Sequence, residues 1–508
     1  ARVVVIRGIS IADGALSTES VGLRFTDGGL NDVEPLVQQL AGAGLDLAAL
    51  LPIGTVLVND ECFVDCSPFG CCGRGTVTVI NPPPSIGGFA IAVDSMNGFV
   101  AGDITISDIR VNVYLDGTGI VPDCDIAIHA DNAYFNGDYT LDPAPGDPEN
   151  IDVNQLGNLD VSFTNFTASY GGNCSFIESF LPDIQDRIVN AMRDFLSDPD
   201  GSGPLDSPTA DAIESALAGI SIAGPVGEGL GVQFNAPLFG IAEDVDGITF
   251  GSDSKFTVSV GTGPGQCQPP VGAPDLTASL AFNEVFPTFG ATTPVGQFPY
   301  DLAIAISSEG FNQLLRSQVE CGLLVTSIAA LDLGSGPVAL TAGTLTAILP
   351  EFGVFPSATP FRIDIRPTLA PIVTGAAGPS GELTLLKIGQ LIVTIVRNDG
   401  SEQVVLQGAV DADVGLDLAF GAVALVFDLA DPLPDDIVVT VLVNPLGVDE
   451  AGVENDILPP LVASLLPSLA GSLASFPLPE FFGLQLSGVE ITRNGQFLTL
   501  YSNLVTGP

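Results

Sequence analysis

Apolar and polar residues alternate along several stretches of the chain, which is the pattern of half-buried β-strands. The alternation is clear from Asp103 to Leu115, and Asn136-Gly137 supplies a hairpin signal downstream. In the second half the alternation recurs in residues 391–396 and 403–406. A turn at residues 398–400 (Asn-Asp-Gly) joins these two segments. The pattern predicts antiparallel sheets in both halves.

Two further segments carry apolar residues at spacings of three and four, as in an amphipathic helix. Their stripes are Ile177, Leu181, Ile184, Ile188, Met192 and Phe195 in the first half, and Leu458, Leu461, Val462, Leu465, Leu469, Leu473 and Phe476 in the second. Residues 457–479 hold no charge and are long enough to span a bilayer, but four prolines interrupt them. We therefore predict two long helices, the second buried on most sides and not transmembrane.

Two pairs of local matches indicate a duplicated chain. Residues 237–256 and 479–497 both match a strand, a polar turn and a strand, with the turns at residues 251–254 and 493–496. Residues 25–31 and 306–312 both match a strand end that passes through a polar turn into a helix. The matches predict two related domains, at residues 1–262 and 263–508.

Composition excludes some partners. The chain has 60 acidic and 14 basic residues and a formal charge of -46, so it would repel phosphate backbones and anionic lipid headgroups, and nucleic acid is excluded as a partner. Only 15% of residues are charged and the mean hydropathy is +0.45, which is unlike a disordered acidic tail. Either the core is unusually large, or some apolar residues line a cavity.

Cysteine usage indicates an oxidising compartment. The eight cysteines are Cys62, Cys66, Cys71, Cys72, Cys124, Cys174, Cys267 and Cys321. The spacing from Cys62 to Cys72 lacks the paired two-residue gaps of a zinc site, so we predict a disulfide-stapled loop instead. With no initiator Met and no signal-peptide pattern, the sequence is expected to be a processed, exported protein, either extracellular or at a bacterial periplasm or cell surface.

The sequence offers no catalytic constellation. His129 is the single histidine and lies in an alternating strand, and the pattern from Ser252 to Lys255 lies in the predicted turn. We therefore predict a protein that is not an enzyme and requires no cofactor.

One calcium candidate is present. Asp198, Asp200 and Ser202 take positions 1, 3 and 5 of an EF-hand-like loop, but position 12 is Thr209. Asp206 or Asp211 would have to complete the site. The alternative is a solvated acidic turn.

The closing segment and the start of the second half resemble a known family. Residues 476–479 (Phe-Pro-Leu-Pro) follow the second predicted helix, the strands 484–491 and 497–500 come next, and residues 303–315 begin the second half. Together they resemble the tubular lipid-binding superfamily, which includes bactericidal/permeability-increasing protein, lipopolysaccharide-binding protein and the plasma lipid transfer proteins.

The resemblance implies a fold and a site. It implies an α+β boomerang of two domains, each a long helix wrapped in a strongly curved antiparallel sheet, with an apolar pocket between helix and sheet. It also implies a bridge between Cys124 and Cys174, and we predict a further bridge between Cys267 and Cys321. Two features depart from the family pattern: the acidic N-terminal half, which disfavours lipopolysaccharide recognition, and the loop from Cys62 to Cys72.

Two functions from different classes follow. The first is a non-enzymatic carrier of lipid or another apolar molecule. Its predicted pocket walls, whose alternative is a solid core, are Leu30, Val33, Val37, Leu40, Ile184, Ile188, Phe311, Leu314, Leu315, Leu465 and Leu469. The second is an exported structural protein, such as a self-associating coat or filament subunit built on the same fold.

Overall fold

The structure is a computed structural model, and most of the residues that it describes are in β-strands. The described residues are 9–12, 15–33, 47–66, 69–171, 182–196, 210, 213–214, 224–226, 232–261, 266–281, 285–332, 337–420, 424–459, 462, 476–477 and 484–506.

The strands are numbered in chain order. Those before residue 300 are β1 (Ile9–Ala12), β2 (Ser17–Thr26), β3 (Val56–Asp65), β4 (Cys71–Val79), β5 (Gly88–Met96), β6 (Phe99–Gly119), β7 (Cys124–Pro143), β8 (Ile151–Thr164), β9 (Thr167–Tyr170), β10 (Gly224–Val226), β11 (Val232–Asn235), β12 (Leu238–Asp244), β13 (Gly247–Val258) and β14 (Ala278–Ala281). Those after it are β15 (Leu302–Ser307), β16 (Thr326–Ile328), β17 (Ala330–Asp332), β18 (Pro337–Ala339), β19 (Phe361–Arg366), β20 (Ile372–Val373), β21 (Thr384–Arg397), β22 (Gln403–Phe420), β23 (Ala424–Leu429), β24 (Ile437–Val443), β25 (Phe476–Pro477), β26 (Leu484–Asn494) and β27 (Phe497–Thr506).

Helices are few and short within the described residues. Residues 27–33 are helical, and the numbered helices are α1 (Leu47–Leu50), α2 (Pro182–Leu196), α3 (Ser308–Glu320), α4 (Ala342–Leu345) and α5 (Glu450–Gly452). Short 3₁₀ turns form at Pro350–Val354 and Pro434–Asp436, and Val453–Ile457 is a π-helical turn. The first predicted long helix corresponds to α2, of 15 residues, and its first two stripe positions, Ile177 and Leu181, lie outside the described residues. Most of the second predicted helix lies outside them as well.

The chain divides into two compact units. Unit 1 comprises Ala1–Arg24, Ile222–Phe239 and Gly251–Pro508, and unit 2 comprises Phe25–Ser221 and Gly240–Phe250. These units are defined by packing, whereas the division at residue 262 was inferred from repeated sequence. That division stays a prediction.

Unit 2 is built on a seven-stranded, strongly curved antiparallel sheet. Its order is β3-β4-β6-β7-β8, with β5 on β6 and β9 on β7. The long strand β6 pairs with two strands along one edge, because residues 113–119 bind β4 and residues 99–107 bind β5. β7 is shared in the same way between β8 and β9.

A sheet of unit 1 has the same topology. Its order is β16-β19-β21-β22-β23-β25, with β20 on β21 and β24 on β22. Here too a long central hairpin, β21–β22, is flanked on each edge by two strands that share it. Only β25 has no counterpart among the described strands of the other sheet. Two sheets with one strand order support a duplicated chain.

Both central hairpins contain an irregularity at which the alternation changes phase. In β6 the buried apolar side chains run 104, 106 and then 109, 111, 113, 115, and Asp108 between them has a φ of 49°. In β21 Gln390, with a φ of 53°, lies where the register with β22 shifts. The extra residue keeps the apolar side chains on one face of the sheet.

A third large sheet has the order β10-β11-β13-β2-β15-β27-β26, with β12 on β13. β2 and β15, the strands that begin the two repeated segments, are neighbours in it. Each is followed by a helix whose first turn is capped in the same way: Thr26 Oγ1 accepts from Gly29 N at 3.2 Å, and Ser307 Oγ accepts from Gly310 N at 3.0 Å. The predicted strand-to-helix match is confirmed.

The two predicted closing hairpins had different outcomes. In the second half the turn is at residues 495–496 as predicted, and Gly495 has a φ of 62°. In the first half the prediction was wrong, because residues 251–254 lie inside β13 and the turn is at residues 245–246. Gly247, at the start of β13, comes so close to the chain that a Cβ there would lie 2.0 Å from the Phe25 carbonyl oxygen.

Asn136-Gly137 is a second correction. It lies within β7 and does not form a hairpin; the pairing with β8 shifts register there, from Asn136 opposite Asp160 to Asp138 opposite Leu156. The extra residues, 157–159, lie in β8, whereas β7 stays regular and Gly137 pairs with Gly102 of β6. By contrast, the Asn-Asp-Gly turn at residues 398–400 joins β21 to β22 as predicted.

Candidate functional site

Helix α2 contacts both end strands of the curved sheet in unit 2. It packs against β3 and β8, which terminate the two sides of that sheet. Arg187 Nη1 donates to Glu61 Oε2 at 3.2 Å, and its guanidinium lies 5.8 Å from the centroid of the Phe63 ring. Arg193 Nε donates to the Val161 carbonyl oxygen at 2.8 Å. The two arginines thus fix α2 to opposite ends of the sheet.

The apolar stripe of α2 faces the interior of unit 2. Ile188 and Met192 are fully buried, as the helical spacing predicts. The sheet contributes a continuous apolar face to the same interior, whose buried members include Ile104, Ile106, Val111, Ile126, Ile128, Phe135, Tyr139, Leu141 and Val161. A helix opposite a curved apolar sheet is an arrangement that can bury a solid core or enclose an apolar ligand.

Not all of the predicted walls in unit 2 can be located. Leu30 and Val33, on the helical residues 27–33, are buried, and Ile184 lies in α2. Val37 and Leu40 lie outside the described residues.

Helix α3 of unit 1 is buried on every side. All residues from Ser308 to Val319 are buried, although the helix carries six polar or charged side chains between Glu309 and Gln318. Its Asn312 side chain donates to the carbonyl oxygens of Leu280 and Val373, at 3.0 and 3.2 Å, and accepts from Val373 N at 2.7 Å. Buried polar groups are tolerable when they are paired in this way.

The next turns of α3 extend the polar network. Gln313 donates to the Ala15 carbonyl oxygen at 3.3 Å and accepts from Phe256 N at 3.4 Å. Arg316 Nη1 donates to the Leu276 carbonyl oxygen at 3.0 Å and to Glu320 Oε1 at 3.3 Å. α3 therefore holds several separate segments of unit 1 together.

The predicted walls on α3 are embedded in apolar contacts. Phe311 meets the ring of Phe427 edge-on, with the centroids 6.2 Å apart, and Leu315 is buried. Leu314 belongs to a buried cluster with Val21, Val232, Phe234, Ala236 and Phe256. Leu465 and Leu469 lie outside the described residues, although Leu458 and Val462 of the same stripe are buried.

The pKa values of two carboxyl groups, Glu309 and Asp108, are shifted in opposite directions. Burial raises the pKa of Glu309, and the polar Ser17 side chain partly offsets this rise. Hydrogen bonds from Arg110, and then from His129, lower the pKa of Asp108. His129 Nε2 lies 3.0 Å from Asp108 Oδ1, and the pair is half exposed on β6 and β7. His129 therefore belongs to a half-exposed polar cluster with Asp108 and Arg110.

The cysteines form disulfides throughout the described chain. Cys62 bonds Cys71 and Cys66 bonds Cys72, which gives the connectivity that the spacing left open. The predicted bridge between Cys267 and Cys321 is confirmed. Cys124 is disulfide-bonded, and its predicted partner Cys174 lies outside the described residues.

The metal candidate cannot be placed. Asp198, Asp200 and Ser202 lie outside the described residues, and within those described no group of three or more His, Cys, Asp or Glu side chains could hold a metal ion. Among the described helices, none is long and apolar enough to cross a membrane.

The inner faces of the sheets were absent from the predicted walls. The signal was in the sequence, because the alternation from Asp103 to Leu115 already separates apolar from polar faces. What the alternation could not give is which strands share a curved face with α2.

No family model matches the chain, and no curated protein does. Among solved structures, the chain is similar to lipopolysaccharide binding protein at 14% identity and a TM-score of 0.43, over 98% of this chain and 100% of that one. It is also similar to P47 of Clostridium botulinum E1 (8% identity, TM-score 0.27, 96% and 100% covered) and to P47 of Clostridium botulinum A2 (10%, 0.29, 96% and 98%). All three TM-scores are below 0.5.

Proposed function

We propose that the protein is an exported, non-enzymatic carrier that binds a lipid or another apolar molecule between helix and curved sheet. The observation that carries this proposal is the apolar face of α2, with Ile188 and Met192 fully buried, opposite the apolar inner face of the sheet in unit 2. The large apolar share of the sequence supports it, because a ligand-lining surface accounts for apolar residues beyond those of an ordinary core.

Several further expectations belong to the same proposal. The shared topology of the sheets built on β6–β7 and β21–β22 supports two related domains, at residues 1–262 and 263–508, with a ligand in one or both. The disulfides Cys62–Cys71, Cys66–Cys72 and Cys267–Cys321 support an oxidising location outside the cytoplasm. The walls of the second site would be Phe311, Leu314, Leu315, Leu465 and Leu469.

The first test is organic extraction and native mass spectrometry of the purified protein. A carrier releases an apolar molecule in a fixed ratio and gains the corresponding mass in the native spectrum. A ligand-free protein that assembles into regular oligomers would instead favour the structural alternative, a coat or filament subunit.

The second test separates a ligand-lining side chain from a core side chain. Ile188→Asn in a ligand-lined wall should lower the bound lipid while leaving the melting temperature of delipidated protein nearly unchanged. In a solid core it should cost several kcal/mol, since a polar group would be buried without a partner. Leu51→Asn is a control, because Leu51 is fully buried next to α1 and is not a predicted wall. Equal destabilisation by both variants, with unchanged lipid per folded molecule, would contradict the carrier.

A further inference from the structure

One end of the sheet in unit 2 exposes two large apolar side chains. Phe69, in the turn between β3 and β4, is 90% exposed, and Ile120, in the turn between β6 and β7, is 63% exposed. Both turns lie at the same end of the sheet, because Gly73 of β4 is paired with Gly119 of β6. We call the described residues of these two turns, 66, 69–73 and 117–122, the apolar tip.

The apolar tip is rigidly built. The disulfides Cys62–Cys71 and Cys66–Cys72 join the two strands on either side of Phe69, and Phe69 N donates to the Cys66 carbonyl oxygen at 2.9 Å. Ile120 N donates to the Cys72 carbonyl oxygen at 3.3 Å, which ties the second turn to the first. A Cβ on Gly119 would lie 2.2 Å from that same oxygen, so only glycine permits this approach.

The apolar side chains of this tip are not buried by a rearrangement of the loop. A flexible loop could fold Phe69 back onto the sheet, whereas the two disulfides keep it in the exposed position. An aromatic side chain held in water on a stapled hairpin is preorganised to bind, since little conformational entropy is lost on contact.

The charges around the tip indicate which kind of lipid surface it could bind. Residues 66–73 and 117–122 contain no charged side chain. The exposed carboxylates of Asp116 and Asp123 come directly before and after the second turn, and Arg74 is paired with Asp60 at 3.2 Å. An uncharged apex can therefore enter an apolar layer while the carboxylates behind it remain in water, and those carboxylates are repelled by anionic headgroups.

We propose that the apolar tip docks the protein on electrically neutral lipid–water interfaces, with Phe69 and Ile120 inserted among the headgroups and upper acyl chains. This inference rests on the proposed carrier function, for which it supplies the surface where lipid is collected or delivered. The two side chains come from separate turns of a narrow sheet end, which suits shallow insertion into a deformable layer.

The test is co-flotation of the whole protein with phosphatidylcholine vesicles. Phe69→Ser and Ile120→Ser should each weaken vesicle binding about tenfold, and the double variant more, because each removes the burial of one large apolar side chain. Val271→Ser is the matched control, since Val271 is 92% exposed in unit 1, and it should bind like the unmodified protein. Adding phosphatidylglycerol to the vesicles should weaken binding of the unmodified protein.

Each contrary result has a defined meaning. No binding of the unmodified protein to phosphatidylcholine, or equal binding by the double variant, overturns the inference. Loss of self-association in the double variant, without any vesicle binding, assigns the tip to contacts between copies and overturns it as well. If the protein fails the vesicle test but co-purifies with lipid, the carrier proposal is intact. If the protein binds vesicles through the tip but carries no lipid, only the carrier proposal is refuted.

Discussion

Glu309 is a buried carboxyl group at the start of α3, and burial raises its pKa above the ordinary value of 4.5. In the unfolded chain it ionises at that ordinary value, so the folded protein holds the proton to a higher pH. The free energy of unfolding therefore decreases as the pH rises from about 4.5 through the raised pKa. Burial thus makes this residue a source of instability at neutral pH.

We expect Glu309→Gln to stabilise the protein at pH 8 relative to pH 4, because an amide of the same size can be buried at pH 8 without carrying a charge. Urea unfolding at both pH values measures the difference. Glu149→Gln, at an exposed position, is the control and should show no such pH-dependent gain. A Glu309 variant that is equally destabilised at both pH values would contradict the assignment.

Two helix caps, Thr26 and Ser307, follow the strands β2 and β15. Thr26→Ala and Ser307→Ala each remove the acceptor of one helix N-terminal N–H and should each cost about 1 kcal/mol of unfolding free energy. Thr26→Ser and Ser307→Thr retain the hydroxyl and should remain close to the unmodified protein. Denaturant unfolding of the four variants tests this, and an equal loss in the hydroxyl-retaining pair would refute a capping role.

The disulfide that follows α3 closes a long loop. Cys267 and Cys321 are 54 residues apart, so replacing both by serine should cost about 4 kcal/mol through the added freedom of the unfolded chain. Thermal unfolding without reductant measures the loss. With reductant the difference between variant and unmodified protein should shrink; a difference that persists after full reduction would point to lost packing instead.

The elements differ in how far sequence could predict them. Strand alternation and the caps depend on neighbouring residues, and both were predictable. The turn at residues 245–246 was missed because Gly251 and Ser254 look like turn residues, although they lie inside β13, where Ser254 Oγ accepts from Ser20 Oγ at 2.7 Å. That hydrogen bond joins residues 234 apart, and no local pattern encodes it.

The same limit applies to the candidate site. Helical spacing predicted the burial of Ile188, Phe311 and Leu314. It could not show that α3 would be buried on its polar side too, because the partners of Asn312 and Gln313 come from four distant segments. The apolar tip was likewise hidden, since its two turns meet only through sheet pairing.

At the scale of the whole molecule, charge opposes folding. A formal charge of -46 makes the compact state repel itself more than the expanded chain does. Raising NaCl from 0.01 M to 1 M shortens the screening distance from about 30 Å to about 3 Å. We expect the melting temperature to rise over this range, by roughly 1 °C for each kcal/mol of repulsion removed from a chain of 508 residues.

Calorimetry over a salt series measures this effect, with sucrose at matched osmolality as the uncharged control. Screening predicts that most of the rise occurs at low salt, where the screening distance changes most. A melting temperature that is flat or falls in NaCl would show that the carboxylates are already neutralised in another way.

The pairing of β2 with β15 has a consequence for how the chain is made. A ribosome releases β2 well before its neighbour β15, which begins only at Leu302, and β1 likewise waits for β14 at Ala278. Until then an edge of β2 has no strand beside it and is open to pairing with other nascent chains. Premature termination after residue 262 should therefore give an aggregating product, and chaperones that shield strand edges would act during this interval.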